Sequence, residues 1–409
     1  MWTFKRDEHL TSLEIGTSKV VAIIAELSDE EALSVVGFGQ APSRGVIKGE
    51  MVDPRLTHEA IRQAISQAEE KADREVHQLY LAVTGQHLRS NDFSGSHAIA
   101  SVDRSIAQED VEDVMTQARR FHLSPGDHMI HVIRQQFLVD GQPVGRSPVG
   151  MHGSQLTVVL HAIQAQAEAL QKPLQCLRKM RLEAENLAFS GLASGLAVLN
   201  TSQKAEGTLV IDLGGGTTEY VVCKDGVVCH SGLLAVGGDH VTQDLATGLQ
   251  CSFARAEDLK IKYGSAMLTH EGQQALRELS REMGYSDRRI DRATLQKIIH
   301  ERLKETFMII ASELGRHGMG DRVQSVVLCG GGAHMPEIEA LAGYVFGLPV
   351  SIGKGHNLHG PSSVIDRPEY ATALGLLKFG AFDIARQREQ EAHRLPLGHR
   401  IRNLFRMES

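Results

Sequence analysis

Three times along this chain an apolar, strand-like run stops at a glycine-centred turn, and nothing else in the sequence restricts the fold as much. The first is Leu13-Glu14-Ile15-Gly16-Thr17-Ser18-Lys19, leading into the apolar run Val20 to Ala25. The second runs from Thr208 through Asp212 and Leu213 into Gly214-Gly215-Gly216-Thr217-Thr218, then on through Glu219 to Val222. The third is Val326 to Cys329 followed by Gly330-Gly331-Gly332-Ala333, with His334 to Glu337 opening a helix. Such turns present backbone N–H groups and hydroxyls to phosphate oxygens at close range. Lys19 adds a point charge to the first. Asp212, at a strand end, can hold the water shell of a magnesium ion, which prefers one or two carboxylates plus phosphates. At the third turn a nucleoside can lie flat against bare backbone. One glycine cluster is usually only a tight turn; three in this order point to a single nucleotide site. No GxxxxGK[ST] follows a strand, so a Walker loop is excluded, and no GxGxxG turn opens a helix, which argues against a Rossmann dinucleotide site.

The implied architecture is α/β, with two similar lobes and the nucleotide between them. Lobe one supplies the first hairpin and lobe two the other turns. The small-residue segments Phe189 to Leu199 and Tyr370 to Phe379 read as the two helices connecting the lobes. This is the arrangement of actin, sugar kinases and heat-shock chaperone ATPases.

With 409 residues the chain can form several cores, and 42% hydrophobic and 23% charged residues are an ordinary globular balance. A net charge of −7 argues against nucleic acid. Five scattered cysteines without a CxxC pair point to reduced thiols, and twenty histidines without HExxH or HxH spacing read as surface and core residues. No apolar run is long enough to span a bilayer, and the N-terminus shows no signal-peptide pattern.

Residues 396–409 depart from this balance. Leu397, Ile401, Leu404 and Phe405 fall on one helical stripe, with Arg400, Arg402 and Arg406 around it. A basic amphipathic helix of this kind suits the surface of an anionic membrane; the alternative is a helix docked on the protein's own core. The charged stretch Arg386 to Arg394, without apolar periodicity, reads as a tether. Trp2, beside Phe4, Lys5 and Arg6, reads as packing on lobe one, with a second membrane anchor as the alternative.

The most specific stretch is Ala41-Pro42-Ser43-Arg44-Gly45-Val46-Ile47-Lys48-Gly49-Glu50-Met51-Val52-Asp53. Leu79 to Gly85, Ile106 to Val114, His131 to Phe137, Val149 to Met151 and Leu156 to Ala162 follow it in order. Over nearly its whole length the chain thereby resembles FtsA, the actin-like bacterial cell-division family. The resemblance implies a two-lobe actin-like ATPase fold with an inserted subdomain 1C and a C-terminal amphipathic helix. It divides the chain into 1A (1–83, 163–194 and a closing helix, 366–384), 1C (84–162), 2A (195–237 and 307–365), 2B (238–306), a linker (385–395) and a membrane-targeting helix (396–409).

It also implies ATP and magnesium as cofactors. Gly16, Thr17 and Ser18, Asp212 and Gly214 to Thr217, and Gly330 to Ala333 match the family's nucleotide turns. Glu14 stands where many members of the superfamily carry aspartate. Glu257 and Lys260 lie where actin-like proteins reach base and ribose, although their i, i+3 spacing is equally that of a solvated ion pair. Phe189 and Ser190 stand where hydrolysing relatives place a water-orienting acid or amide, so tight ATP binding with slow or negligible turnover is expected. The implied partners are the FtsZ C-terminal tail at 2B, met by Arg292, Lys297 and Arg302, further copies of the chain in filaments, later division proteins at 1C, and the cytoplasmic face of the membrane at the septum. A type IV pilus assembly module is the runner-up, but that class lacks both the tail and the Ala41 to Asp53 segment. A sugar kinase would need an aspartate base in an inter-lobe pocket, and a chaperone a peptide-binding β domain.

Overall fold

The computed structural model describes residues 8–28, 32–101, 103–120, 123–145, 147–268 and 292–394. Leu397, Arg400, Ile401, Leu404, Phe405 and Arg406, and the Trp2 to Arg6 segment, lie outside the described residues.

Lobe one begins with β1 (Glu8–Ile15), β2 (Lys19–Leu27) and β3 (Leu33–Pro42). β2 is covered on both faces from Val20 to Ala25, which is why its apolar run is unbroken. After the short pair β4 (Val46–Ile47) and β5 (Glu50–Met51), α1 (Pro54–Ala72) starts at a clear signal. Asp53 Oδ1 accepts from the N–H groups of Arg55 and Leu56 at 2.9 and 3.1 Å, and Pro54 takes the first helical position. β6 (Gln78–Val83) then joins the sheet parallel to β1.

The insert follows: β7 (Leu88–Ala98), α2 (Gln108–Ala118), β8 (Asp127–Val139), β9 (Gln142–Val144) and β10 (Gln155–Gln166). Its antiparallel sheet has the order β7-β10-β8-β9 and a core of its own, in which Ile106, Val114, Phe137 and Leu156 are fully buried. β10 continues past Ala162 to Gln166 as one strand.

Next come α3 (Ala167–Lys179), β11 (Glu183–Phe189), α4 (Ser190–Val198) and α5 (Thr201–Glu206). Lobe two consists of β12 (Thr208–Leu213), β13 (Thr218–Lys224), β14 (Val227–Leu234), α6 (Gly238–Leu249), α7 (Phe253–Tyr263), α8 (Arg292–Arg316), β15 (Ser325–Cys329), α9 (Ile338–Phe346) and β16 (Val350–Ile352). The chain closes with α10 (Ser362–Ile365) and α11 (Ala371–Arg394).

The sheet orders, β3-β2-β1-β6-β11 and β14-β13-β12-β15-β16, are one plan used twice. Each is a three-strand antiparallel meander with two parallel strands added beside its first strand. α4 and α11 cross between the lobes, and the small residues seen in sequence are what let them. A Cβ on Gly375 would lie 1.7 Å from the Ala193 carbonyl oxygen.

One expectation is corrected. The stretch from Arg386 to Arg394 is helical, because α11 runs through it without a break, so any tethering by it is that of a helix and not of an irregular linker. Its residues are mostly glutamine, glutamate, alanine and arginine, all strong helix formers, and no glycine or proline intervenes before Pro396. A missing apolar stripe shows only that a helix has no face to bury.

Candidate functional site

The turns of the two hairpins meet across the gap between the lobes. Gly16, Thr17, Ser18 and Lys19 from β1–β2 and Gly214, Gly215, Thr217 and Thr218 from β12–β13 line one cleft of about 410 Å³. The approach is as close as it is because side chains are missing: a Cβ on Gly215 would stand 3.2 Å from that of Ser18. Gly330, Gly331 and Gly332 line the same cleft, as do Glu257 and Lys260. At Gly330 φ is +80° and a Cβ would fall 2.3 Å from Asp212 Oδ1, so only glycine fits there.

Two expected residues do not line the cleft. Gly216 packs where the lobes touch, and a Cβ on it would lie 2.5 Å from Thr17 Oγ1 and 2.8 Å from the Lys48 backbone. Ala333 is buried in the core of lobe two. The Gly216 contact explains part of the Ala41 to Asp53 segment. The Gly49 N–H donates to Thr17 Oγ1 at 3.0 Å, so Lys48 and Gly49 close over both turns.

Asp212 is held from both connecting helices. Its Oδ2 accepts from Ser194 Oγ of α4 at 2.5 Å and from Thr372 Oγ1 of α11 at 3.0 Å. The hairpin register places Glu219 directly opposite it. Glu219 is 3% exposed and accepts from Thr217 Oγ1 at 2.9 Å and from Thr84 Oγ1. Burial, reinforced by Asp212, pushes the Glu219 carboxyl up to about 8, so it is protonated at neutral pH. Burial also raises Asp212, outweighing the hydrogen bond from Ser194.

Glu14 and Lys19 pair at 3.6 Å. Burial alone would lower the Lys19 pKa, but Glu14, Asp212 and Glu369 hold it above its ordinary value, so the ammonium stays charged. Burial raises Glu14 as well. Two buried acids, Glu14 and Asp212, beside one lysine make a cleft that suits a cation accompanying phosphate, and Asp212 fits the role of reaching magnesium through water. Among the described residues no group of three or more histidine, cysteine or acidic side chains could hold a metal ion by itself.

Glu257 and Lys260 form an ion pair at 2.6 Å on α7. Lys260 Nζ also donates to Thr242 Oγ1 at 2.8 Å and to the Gly238 carbonyl at 3.1 Å, so the pair is fixed at the cleft wall. Ser190 lines the cleft, but its hydroxyl donates to the Val83 carbonyl at 3.1 Å, and Phe189 offers no base.

Sequence reasoning passed over Thr84, Ser194, Glu219 and Thr372. Glu219 had a readable signal, since a tight hairpin pairs it with Asp212. Thr84 had none, because it reaches Glu219 only through the fold.

Arg292, Lys297 and Arg302 do not gather into one basic face. Five-residue steps on a helix turn through about 140°, so they point three ways. Arg302 is already engaged, at 2.6 Å from Asp244 of α6 and 2.5 Å from Glu305. Lys297 is exposed and has no ion pair among the described residues.

A family model described as "Cell division protein FtsA" matches residues 209–375, and one described as "SHS2 domain inserted in FTSA" matches residues 85–164. The chain is 32% identical over 373 residues to the cell division protein FtsA of Pseudomonas aeruginosa, covering 91% of this chain and 89% of that one. It is 33% identical over 375 residues to that of Neisseria meningitidis, covering 91% and 90%. For Escherichia coli K12 the values are 30% over 379 residues, with 91% and 90% covered. Among solved structures, a chain of the PilM-PilN type IV pilus biogenesis complex superposes with a TM-score of 0.64 at 18% identity, covering 92% of this chain and 99% of that one. MreB5 of Spiroplasma citri bound to ADP does so with a TM-score of 0.52 at 14% identity, covering 93% and 98%. These structural likenesses show the shared actin-like fold.

Proposed function

Because the chain belongs to the FtsA family of cell-division proteins, we propose that it binds ATP with magnesium between its lobes and anchors FtsZ filaments to the membrane at the division site. The observation that carries the nucleotide reading is the meeting of two hydroxyl- and glycine-rich turns from duplicated lobes across a cleft with a buried aspartate. Gly16 to Lys19, Gly214, Gly215, Thr217 and Thr218 are the proposed phosphate contacts, Gly330 to Gly332 the nucleoside floor, and Glu257 with Lys260 the base and ribose contacts. The Gly16 and Gly214 N–H groups close their own turns on the Lys19 and Thr217 carbonyls at 2.9 Å, which fixes the turns that would meet the phosphates. MreB5, which shares the fold, carries ADP in its solved structure. Magnesium would supply charge neutralisation for the phosphates.

Turnover is slow or negligible on this reading. Phe189 and Ser190 give no base, and a protonated Glu219 is a poor one. Steady-state phosphate release should stay near background with excess Mg·ATP; fast release would contradict this.

Among the described residues no helix is long and apolar enough to cross a membrane. We assign membrane contact to the stripe of Leu397, Ile401, Leu404 and Phe405, with Arg400 and Arg406 meeting anionic headgroups. A Leu404→Asp, Phe405→Asp double variant should lose about tenfold in co-sedimentation with anionic vesicles. Equal recruitment of variant and parent would remove the tail from the reading.

Filament formation and contacts of the insert with later division proteins complete the proposal. Lys297 is the better test of the FtsZ-tail surface, since it is exposed while Arg302 is tied to Asp244. Lys297→Glu should weaken an acidic tail peptide by about threefold. Arg302→Glu would instead leave Asp244 facing a like charge and lower stability. Unchanged peptide affinity in Lys297→Glu would place the contact elsewhere.

A further inference from the structure

The insert belongs covalently to lobe one, where His131 Nε2 of β8 also accepts from the Phe189 N–H at 3.0 Å, and it is fastened to lobe two as well. Its strands β7 and β8 pack on β14, the edge strand of that lobe's sheet. Ser90 Oγ of β7 donates to the Ser231 carbonyl at 2.6 Å, and Gln135 Nε2 of β8 donates to the Cys229 carbonyl at 2.7 Å. Carbonyls on a sheet edge have no ladder partner, so these side chains supply what a further strand would. At the same seam His161 of β10 is 1% exposed. Its Nδ1 is 2.7 Å from Asp92 Oδ1 and its Nε2 is 2.7 Å from Ser231 Oγ. Since the carboxylate can only accept, His161 donates from Nδ1 to Asp92. Gln135 also donates to Asp92 at 3.1 Å, which joins all of these groups in one network.

A second fastening sits at the neck. Thr84 is the last residue before Gly85, where φ is +126° and the chain turns out of β6 into the insert. The neck closes again where the Gln166 N–H donates to the His87 carbonyl at 3.2 Å. Thr84 Oγ1 donates to Glu219 and lies 3.4 Å from Thr217 Oγ1. Both partners belong to the second phosphate-type hairpin of lobe two. The residue at the insert's neck therefore touches the cleft, and the insert's sheet touches the far edge of the same lobe-two sheet.

We propose that the insert is a lever that reads the cleft: a terminal phosphate competing for the hydroxyls of Thr84 and Thr217 loosens the Thr84–Glu219 bond and, through the insert's rigid sheet, the seam on β14. The inference rests on nucleotide binding in the cleft, as proposed above. Its consequence is that the face the insert offers to partners depends on whether a terminal phosphate is bound.

Hydrogen exchange of the full-length protein, with and without saturating Mg·AMPPNP, tests it. In the parent, amides of β14 and β7 should exchange about fivefold to thirtyfold faster with nucleotide, the range set by one to two net hydrogen bonds, while the cleft turns become protected. In Ser90→Ala, Gln135→Ala the seam should exchange fast in both states. Thr84→Val keeps the branched shape without the hydroxyl; at nucleotide saturation its seam should show no difference between states. Ser90→Thr, which keeps a donor, should respond as the parent does. Protection of the cleft turns without any change at β14, or a full response in Thr84→Val, would overturn the lever alone. No protection of the cleft at any nucleotide concentration would overturn the nucleotide reading and the lever with it.

Discussion

Asp212→Asn should weaken Mg·ATP binding by about 100-fold, which is about 2.7 kcal/mol, while making the nucleotide-free protein more stable. Asp212 is 6% exposed and its position is set by the Ser194 and Thr372 hydroxyls, which an asparagine carbonyl can accept equally well. Packing is therefore kept and only charge is lost. That charge helps to push up the carboxyls of Glu14 and Glu219, although burial is the larger cause for both. Without it, repulsion in the empty cleft falls, and a gain of about 1–2 kcal/mol is expected from relieving a buried like-charge contact. The same loss removes the carboxylate proposed to reach magnesium through water. Opposite signs in affinity and stability are the mark of a site residue; a merely structural aspartate would lose stability when replaced. Titration with a fluorescent ATP analogue and a urea midpoint decide the matter. Parent-like affinity, or a fall in stability, would contradict the assignment.

Glu219→Gln should show its effect in the pH dependence of stability. An unfolded glutamate titrates near its ordinary value of 4.5, whereas burial and Asp212 push the folded carboxyl up to about 8. Between those values the folded state alone holds the proton, so this group makes the parent less stable as pH rises through the window. Glutamine has no proton to lose. The variant's advantage should be absent at pH 4, begin to grow above about pH 4.5 and be complete above pH 8, reaching about 3–5 kcal/mol. Urea midpoints measured across this range for the nucleotide-free proteins are the check. Parallel pH profiles for parent and variant would show that Glu219 is not held protonated.

Residues close in sequence made much of this molecule legible before the structure. The three glycine turns could be read because strand, turn and hydroxyl lie within a few residues of one another. The connecting helices could be read because Ala193 and Gly375 must be small for α4 and α11 to cross. What stayed hidden depends on distant parts of the chain. Thr84 meets Glu219 across the lobes, Arg302 meets Asp244 from another helix, and Gln135 covers a sheet edge of a different lobe. No local pattern announces such pairs. The helical course of Arg386 to Arg394 was missed for another reason: periodicity reports a buried face, and propensity alone carries a helix that has none. His161, which reads in sequence as one more core histidine, bonds across a domain boundary.

Equilibrium dialysis of ATP against the intact protein, with and without magnesium, is the most direct test of the cleft. The expected result is saturation at about one ATP per chain, with affinity that falls sharply when magnesium is chelated. No saturable binding, or binding indifferent to both magnesium and Asp212, would mean that the meeting of the two hairpins serves some purpose other than holding a nucleotide.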